Sequence, residues 1–254
     1  MRLPFAAFVI PVVIPAALGA QQQAMTWPQH SRERPLPPVE KAPPQKLPVA
    51  PPAGAIVLFD GKSLDGWQSP EGAPARWKLT GDGAMEVVKG TGTVQTKAAF
   101  GDVELHVEWM TPKPPEGTDQ DRGNSGVFLM GRYEVQVLDS WENRTYADGS
   151  AASIYGQFPP RVNVSRPPGE WQTYDIRFTR PRFDAAGNVT APARMTVRHN
   201  GVLVHDDVAL LGPTSNGRRD PYVAHPDRLP IALQDHGHPV RFRNIWLRDL
   251  EAKR

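Results

Sequence analysis

The feature that most restricts this chain is its short-range hydrophobic alternation. After residue 54, apolar residues recur at every second position in short runs that turn-forming residues separate. Val103, Leu105, Val107 and Trp109 alternate with Glu104, His106 and Glu108, the period of a strand with one covered face. Tyr174, Ile176 and Phe178 repeat the pattern. Met195-Thr-Val197 and Val202-Leu-Val204 flank Asn200-Gly201, a dipeptide that tolerates positive φ, so residues 194–206 are expected to form a hairpin. The apolar phase slips between Phe242 and Ile245, which predicts a bulge near Asn244. No stretch of about twelve residues carries a helical stripe. Roughly ten to fourteen strands without a fixed repeat predict an all-β fold, a two-sheet antiparallel β-sandwich of jelly-roll type.

Proline divides the chain. Of the 28 prolines, 12 fall in the first 54 residues. Arg2, the apolar residues 3–18 and the small residues before Gln21 follow the order of a secretory signal, and Pro4, Pro11 and Pro15 interrupt a segment already short for a bilayer. Residues 1–20 are therefore expected to be a cleaved signal peptide, 21–54 a proline-rich disordered linker and 55–254 the folded domain. The protein is expected to be secreted or periplasmic, with no stable membrane insertion after cleavage. Zero cysteines exclude disulfides, thiolate metal sites and cysteine nucleophiles. A net charge of +2 without a dense basic run argues against nucleic acid as a partner.

Several strings occur in one order across the domain: Leu58-Phe-Asp-Gly-Lys-Ser-Leu-Asp-Gly-Trp67, Gly123-Asn-Ser-Gly-Val-Phe-Leu129, Tyr133-Glu-Val-Gln-Val-Leu-Asp139, Ile154-Tyr-Gly156, Gly169-Glu-Trp171, His199-Asn-Gly201, Ile231-Ala-Leu-Gln-Asp-His-Gly237 and Phe242-Arg-Asn-Ile245. Together they resemble the 3-keto-disaccharide hydrolase family over residues 55–250. The resemblance implies a concanavalin A-like jelly roll, an exported protein and an oligosaccharide or glycoside substrate. It also implies cleavage of 3-keto-glycosides, by hydrolysis or by elimination followed by hydration. The long connection 112–122 before Asn124 departs from the pattern and is expected to reshape the mouth of the site.

Strand alternation sorts the candidate residues independently. Val135 and Val137 share one face, Glu134 and Gln136 the other, which is either a sugar-binding surface or an ordinary solvated face. Asp139 lies out of phase and joins them only through a bulge or strand end. Ile231 and Leu233 point one way, Ala232, Gln234 and His236 the other; His236 is either a proton carrier or a capped strand end. Asn124 and Ser125 sit in a glycine-flanked turn able to aim polar groups at a ligand, and Tyr155 is either a sugar platform or a core residue.

A carbonyl at C3 acidifies the C2 hydrogen, so the keto-sugar route needs one base and a stabiliser for the C3 oxygen, where ordinary glycosidases need two carboxylates. Glu134 or His236 is the expected base, and Gln136 and Gln234 are positioning groups. Asn124, Ser125, Asp139 and Tyr155 complete the expected binding set, with an arginine or divalent ion as oxyanion stabiliser. The sequence assigns no definite cofactor; a divalent metal ion is left open because Glu134, Asp139 and His236 are all metal-competent. The rivals are a non-catalytic, lectin-like glycan-binding module and, less favoured, a conventional glycosidase using Glu134.

Overall fold

The computed structural model describes residues 27–252. The expected signal peptide lies outside the described residues. Fifteen strands follow in chain order: β1 (Ile56–Phe59), β2 (Trp67–Gln68), β3 (Lys78–Leu79), β4 (Met85–Glu86), β5 (Val94–Phe100), β6 (Val103–Met110), β7 (Ser125–Leu129), β8 (Tyr133–Val137), β9 (Gln172–Thr179), β10 (Arg182–Phe183), β11 (Val189–Ala191), β12 (Arg194–His199), β13 (Val202–Ala209), β14 (Leu229–Leu233) and β15 (Arg241–Asp249). A single turn of 3-10 helix, Ala147–Gly149, lies between β8 and β9.

The larger sheet runs β13-β12-β9-β6-β15-β4-β3, with β1 also paired to β15. The smaller runs β2-β5-β14-β7-β8, and β10 and β11 form a separate ribbon. Their inner faces make the core of a two-sheet antiparallel jelly-roll sandwich: Val103, Leu105, Val107, Trp109, Ile176 and Phe178 from one sheet meet Val127, Leu129, Val135, Val137, Ile231 and Leu233 from the other. Tyr174 crosses that core, its hydroxyl donating to the Gln136 carbonyl at 2.6 Å and accepting from the Ala152 amide at 2.7 Å. The bond fixes β8 against the larger sheet. The expected hairpin is present, with Asn200 at φ 50° and Gly201 at φ 82° closing β12 onto β13. The expected bulge is also present, since Asn244 has φ 47° and the β15–β6 register shifts between Arg243 and Trp246.

The expectation of a disordered linker is corrected from residue 27 onward. Proline fixes φ and removes amide donors, and the segment carries almost no regular secondary structure, with a turn at residues 28–31. It is nevertheless bonded along the domain. The Asn163 amide donates to the Pro38 carbonyl at 2.8 Å and the Glu40 amide to the Asn163 carbonyl at 3.0 Å, while Gln45 donates to Thr173 Oγ1 at 3.2 Å. Further along, the Val49 amide donates to Glu108 Oε1 at 2.8 Å and its carbonyl accepts from Asn244 Nδ2 at 2.7 Å. Residues 27–54 form a strap. It covers the outer face of β6, so His106 and Glu108, which alternation alone assigns to the face opposite the core, are 1% and 0% exposed.

Candidate active site

The outer face of the smaller sheet carries a cavity of about 260 Å³ lined by Asn124, Phe128, Glu134, Gln136, Tyr155, Thr214, Ser215, Asn216, Gln234 and His236. Six of the eight residues expected from the sequence meet there. Register explains the floor: in the β7–β8 pair, Phe128 opposes Glu134 and Gly126 opposes Gln136. Opposed residues project to the same side. Gly126 is required for space, because a Cβ there would collide with Glu134 Oε1 and the Phe128 ring. The missing side chain gives the carboxyl its room.

Glu134 is 3% exposed, and burial pushes its carboxyl up to about 8. With its amide oriented to suit its neighbours, Gln136 donates to Glu134 Oε1 at 3.1 Å and to the Ser125 carbonyl at 2.9 Å. The backbone of β8 is tied to the opposite wall, since the Glu134 amide donates to Thr214 Oγ1 at 2.9 Å. Gln234 follows the end of β14 and its amide donates to the Gly126 carbonyl at 3.0 Å, while its side-chain Oε1 has no protein partner. That oxygen belongs to a side chain lining the cavity and is able to accept from a sugar hydroxyl. His236 is exposed at the mouth, its ring parallel to His238 with centroids 6.1 Å apart. Tyr155 forms a side wall, with its hydroxyl 2.8 Å from that of Tyr146. Asn124 donates to the Gln120 carbonyl at 2.8 Å, which brings the long connection 112–122 against a residue of the cavity lining.

Two expected residues take other positions. Ser125 turns its hydroxyl away from the cavity to donate to the Gln234 carbonyl at 2.7 Å, joining the ends of β7 and β14. Asp139 lies past the end of β8, where Arg122 Nε holds it at 2.8 Å and the Trp141 amide caps it at 3.2 Å. No bulge returns it to the Glu134 face. Consequently Glu134, Asp139 and His236 do not make a joint metal-binding set, and among the described residues no group of three or more His, Cys, Asp or Glu side chains is arranged to hold an ion. Among the described residues no arginine lines the cavity either. Arg241 is paired with Glu86 at 2.6 Å, and Arg243 with Glu108 at 2.7 Å while lying 4.0 Å over the Trp171 ring.

Thr214, Ser215 and Asn216 were not distinguishable from the sequence. Pro213-Thr-Ser-Asn-Gly217 signals a polar loop, but nothing in its composition says that the loop folds over β8.

Residues 54–248 match the family described as the 3-keto-alpha-glucoside-1,2-lyase-like domain. The chain belongs to this family. All ten cavity-lining residues fall within the matched family region, whereas residues 27–53 of the strap lie outside it. A curated relative from Bacteroides thetaiotaomicron, named 3-keto-disaccharide hydrolase, is 28% identical over 246 residues, covering 78% of this chain and 79% of its own. A presumed glycosyl hydrolase from Parabacteroides distasonis is 42% identical with a TM-score of 0.75, covering 82% of this chain and 94% of its own. Another from the same organism, 18% identical with a TM-score of 0.54 and covering 78% and 94%, shares the fold. The family and these relatives make the chain a carbohydrate-active, glycoside-acting protein.

Proposed function

We propose that this protein cleaves the glycosidic bond of 3-keto-glycosides by abstracting the C2 proton and eliminating the C1 substituent. The observation that carries the reading is a single buried carboxyl at the floor of a cavity otherwise lined by amides, hydroxyls, aromatic rings and one imidazole. Direct displacement at C1 uses two carboxylates across the bond, and Glu134 is the only one lining this cavity among the described residues. The keto route needs only one base.

In its ionised form Glu134 takes the C2 proton, and the electron pair of that C–H bond moves toward the C3 carbonyl as an enolate. Collapse of the enolate forms a C1=C2 double bond and breaks the bond from C1 to the departing oxygen, which receives a proton from His236 at the mouth. Water added across the double bond returns the 3-keto-sugar and completes net hydrolysis. Burial makes the Glu134 carboxylate a stronger base than an exposed one. Neutral hydrogen-bond donors of the cavity lining are left to stabilise the enolate oxygen. Gln136 orients the base. Export belongs to the same proposal, since the signal-like segment would deliver the enzyme to glycosides outside the cytoplasm.

The test is to incubate the purified protein with a 3-keto-glucoside and with its unoxidised parent, with and without chelator, while following aglycone release. Release is expected from the keto substrate alone and unchanged by chelator. Equal release from both would favour a conventional glycosidase; glycan binding with no turnover of either would favour the lectin-like reading.

A further inference from the structure

The start of the strap reaches the walls of the cavity. Thr214 is held by the domain itself, its amide donating to the Arg132 carbonyl at 2.8 Å and its hydroxyl accepting from β8. Beyond Thr214 the loop bonds within itself and to Tyr155, whose hydroxyl donates to Asn216 Oδ1 at 3.5 Å, and the strap adds two further ties. Gln29 Nε2 donates to the Ser215 carbonyl at 2.7 Å, and Arg219 Nη2 donates to the Trp27 carbonyl at 3.0 Å. Gln29 also packs against the Gly156 backbone, where any Cβ would strike its amide.

His30 supports the second wall. Its ring stacks on Tyr146 with centroids 4.2 Å apart and lies 5.2 Å from Tyr155, and those two tyrosines are joined through their hydroxyls. The ring is held in place from behind: the His30 amide donates to Asp148 Oδ2 at 3.2 Å, and Arg34, 7% exposed, stands 4.0 Å from the same wholly buried carboxylate and donates to the Gln157 carbonyl at 3.2 Å. Asp148 thus faces two groups of the strap.

We propose that residues 27–34 are a working part of the site, with Gln29 and His30 as positioning residues that hold the Ser215–Asn216 edge and Tyr155 at the spacing from Glu134 that a keto-sugar ring requires. The inference rests on the cavity being the 3-keto-glycoside site. It adds to that site a component supplied from outside the region that defines the family. Neither residue lines the cavity, so both act through the walls they support.

The test uses the full chain carrying Gln29→Ala, Gln29→Glu or His30→Ala, read by steady-state kinetics on a 3-keto-glucoside and by amide hydrogen exchange. Gln29→Glu keeps the side-chain length but removes the donor to Ser215. KM is expected to rise about 5- to 10-fold, the scale of one lost hydrogen bond plus a displaced wall, with kcat within about twofold. Exchange of amides 214–218 should rise in both Gln29 variants, and that around Tyr155 in His30→Ala, while β6, β9 and β15 exchange as in the parent. Unchanged exchange at these walls, or an unchanged KM in an active enzyme, overturns the inference. A parent protein that turns over no 3-keto-glycoside would overturn the functional reading, and the exchange data would still decide whether the strap holds the walls.

Discussion

Glu134→Gln is expected to lower turnover of a 3-keto-glycoside by at least about 100-fold, since a positioned proton transfer contributes roughly 10² to 10⁴ in rate. The variant should also lose exchange of the substrate C2 hydrogen with deuterated solvent. The substitution conserves shape against Gly126 and Phe128, so folding is retained. Burial raises this carboxyl to about 8, so roughly one-tenth is ionised at pH 7 and kcat/KM of the parent should climb with pH to a plateau above about 8. Stability runs the other way. The folded protein binds the Glu134 proton more tightly than the unfolded chain, so this contribution is full below the ordinary carboxylate range and is lost as pH rises through about 8. The parent should therefore lose melting temperature between pH 5 and 8 relative to Glu134→Gln. A variant that retains parental turnover and C2 exchange would remove Glu134 from the role of base.

Glu108→Ala is expected to destabilise the fold by about 3–5 kcal/mol, the scale of removing one partner from a buried ionic cluster. The Glu108 carboxylate is 0% exposed and accepts from the Val49 amide at 2.8 Å, Asn244 Nδ2 at 2.8 Å and Arg243 Nε at 2.7 Å, with His106 Nε2 at 3.6 Å. Burial opposes its ionisation, but the nearby His106 ring and the hydrogen bonds from Asn244, the Val49 amide and Arg243 outweigh that and take it down to about 2. Alanine would leave the partly buried Arg243 and the buried His106 without that carboxylate and free the strap at Val49. A melting temperature lower by roughly 6–20 °C at pH 7 is the expected scale for a domain of this size. Because the folded pKa is depressed, the contribution is present above about pH 4.5 and is lost as pH falls toward 2. The gap between parent and variant should narrow in urea melts at pH 3. A variant melting within a degree of the parent at pH 7 would show that the strap and β15 are not joined through this carboxylate.

The elements legible in the sequence are those set by neighbours along the chain. Period-two alternation placed Val135 and Val137 in the core and Glu134 and Gln136 opposite, Asn200-Gly201 marked the hairpin, and the phase slip marked the Asn244 bulge. Each follows from local backbone geometry, which alternates side chains across a strand whatever surrounds it. The near-absence of regular secondary structure in the proline-rich segment was legible for the same reason, because a pyrrolidine ring fixes φ and removes an amide donor locally.

Only the tertiary structure decided what those faces and segments touch. Asp139 left the site because β8 ends at Val137 and Arg122, 17 residues away, binds the carboxylate. Glu134 was legible as facing outward but not as buried, since its cover includes Thr214, 80 residues later in the chain, and a carboxyl's pKa follows from the atoms packed around it. The strap became part of the fold through acceptors as distant as Ser215, 186 residues from Gln29. Local periodicity determines which way a side chain points, whereas depth, charge state and partner depend on segments that meet only when the two sheets close.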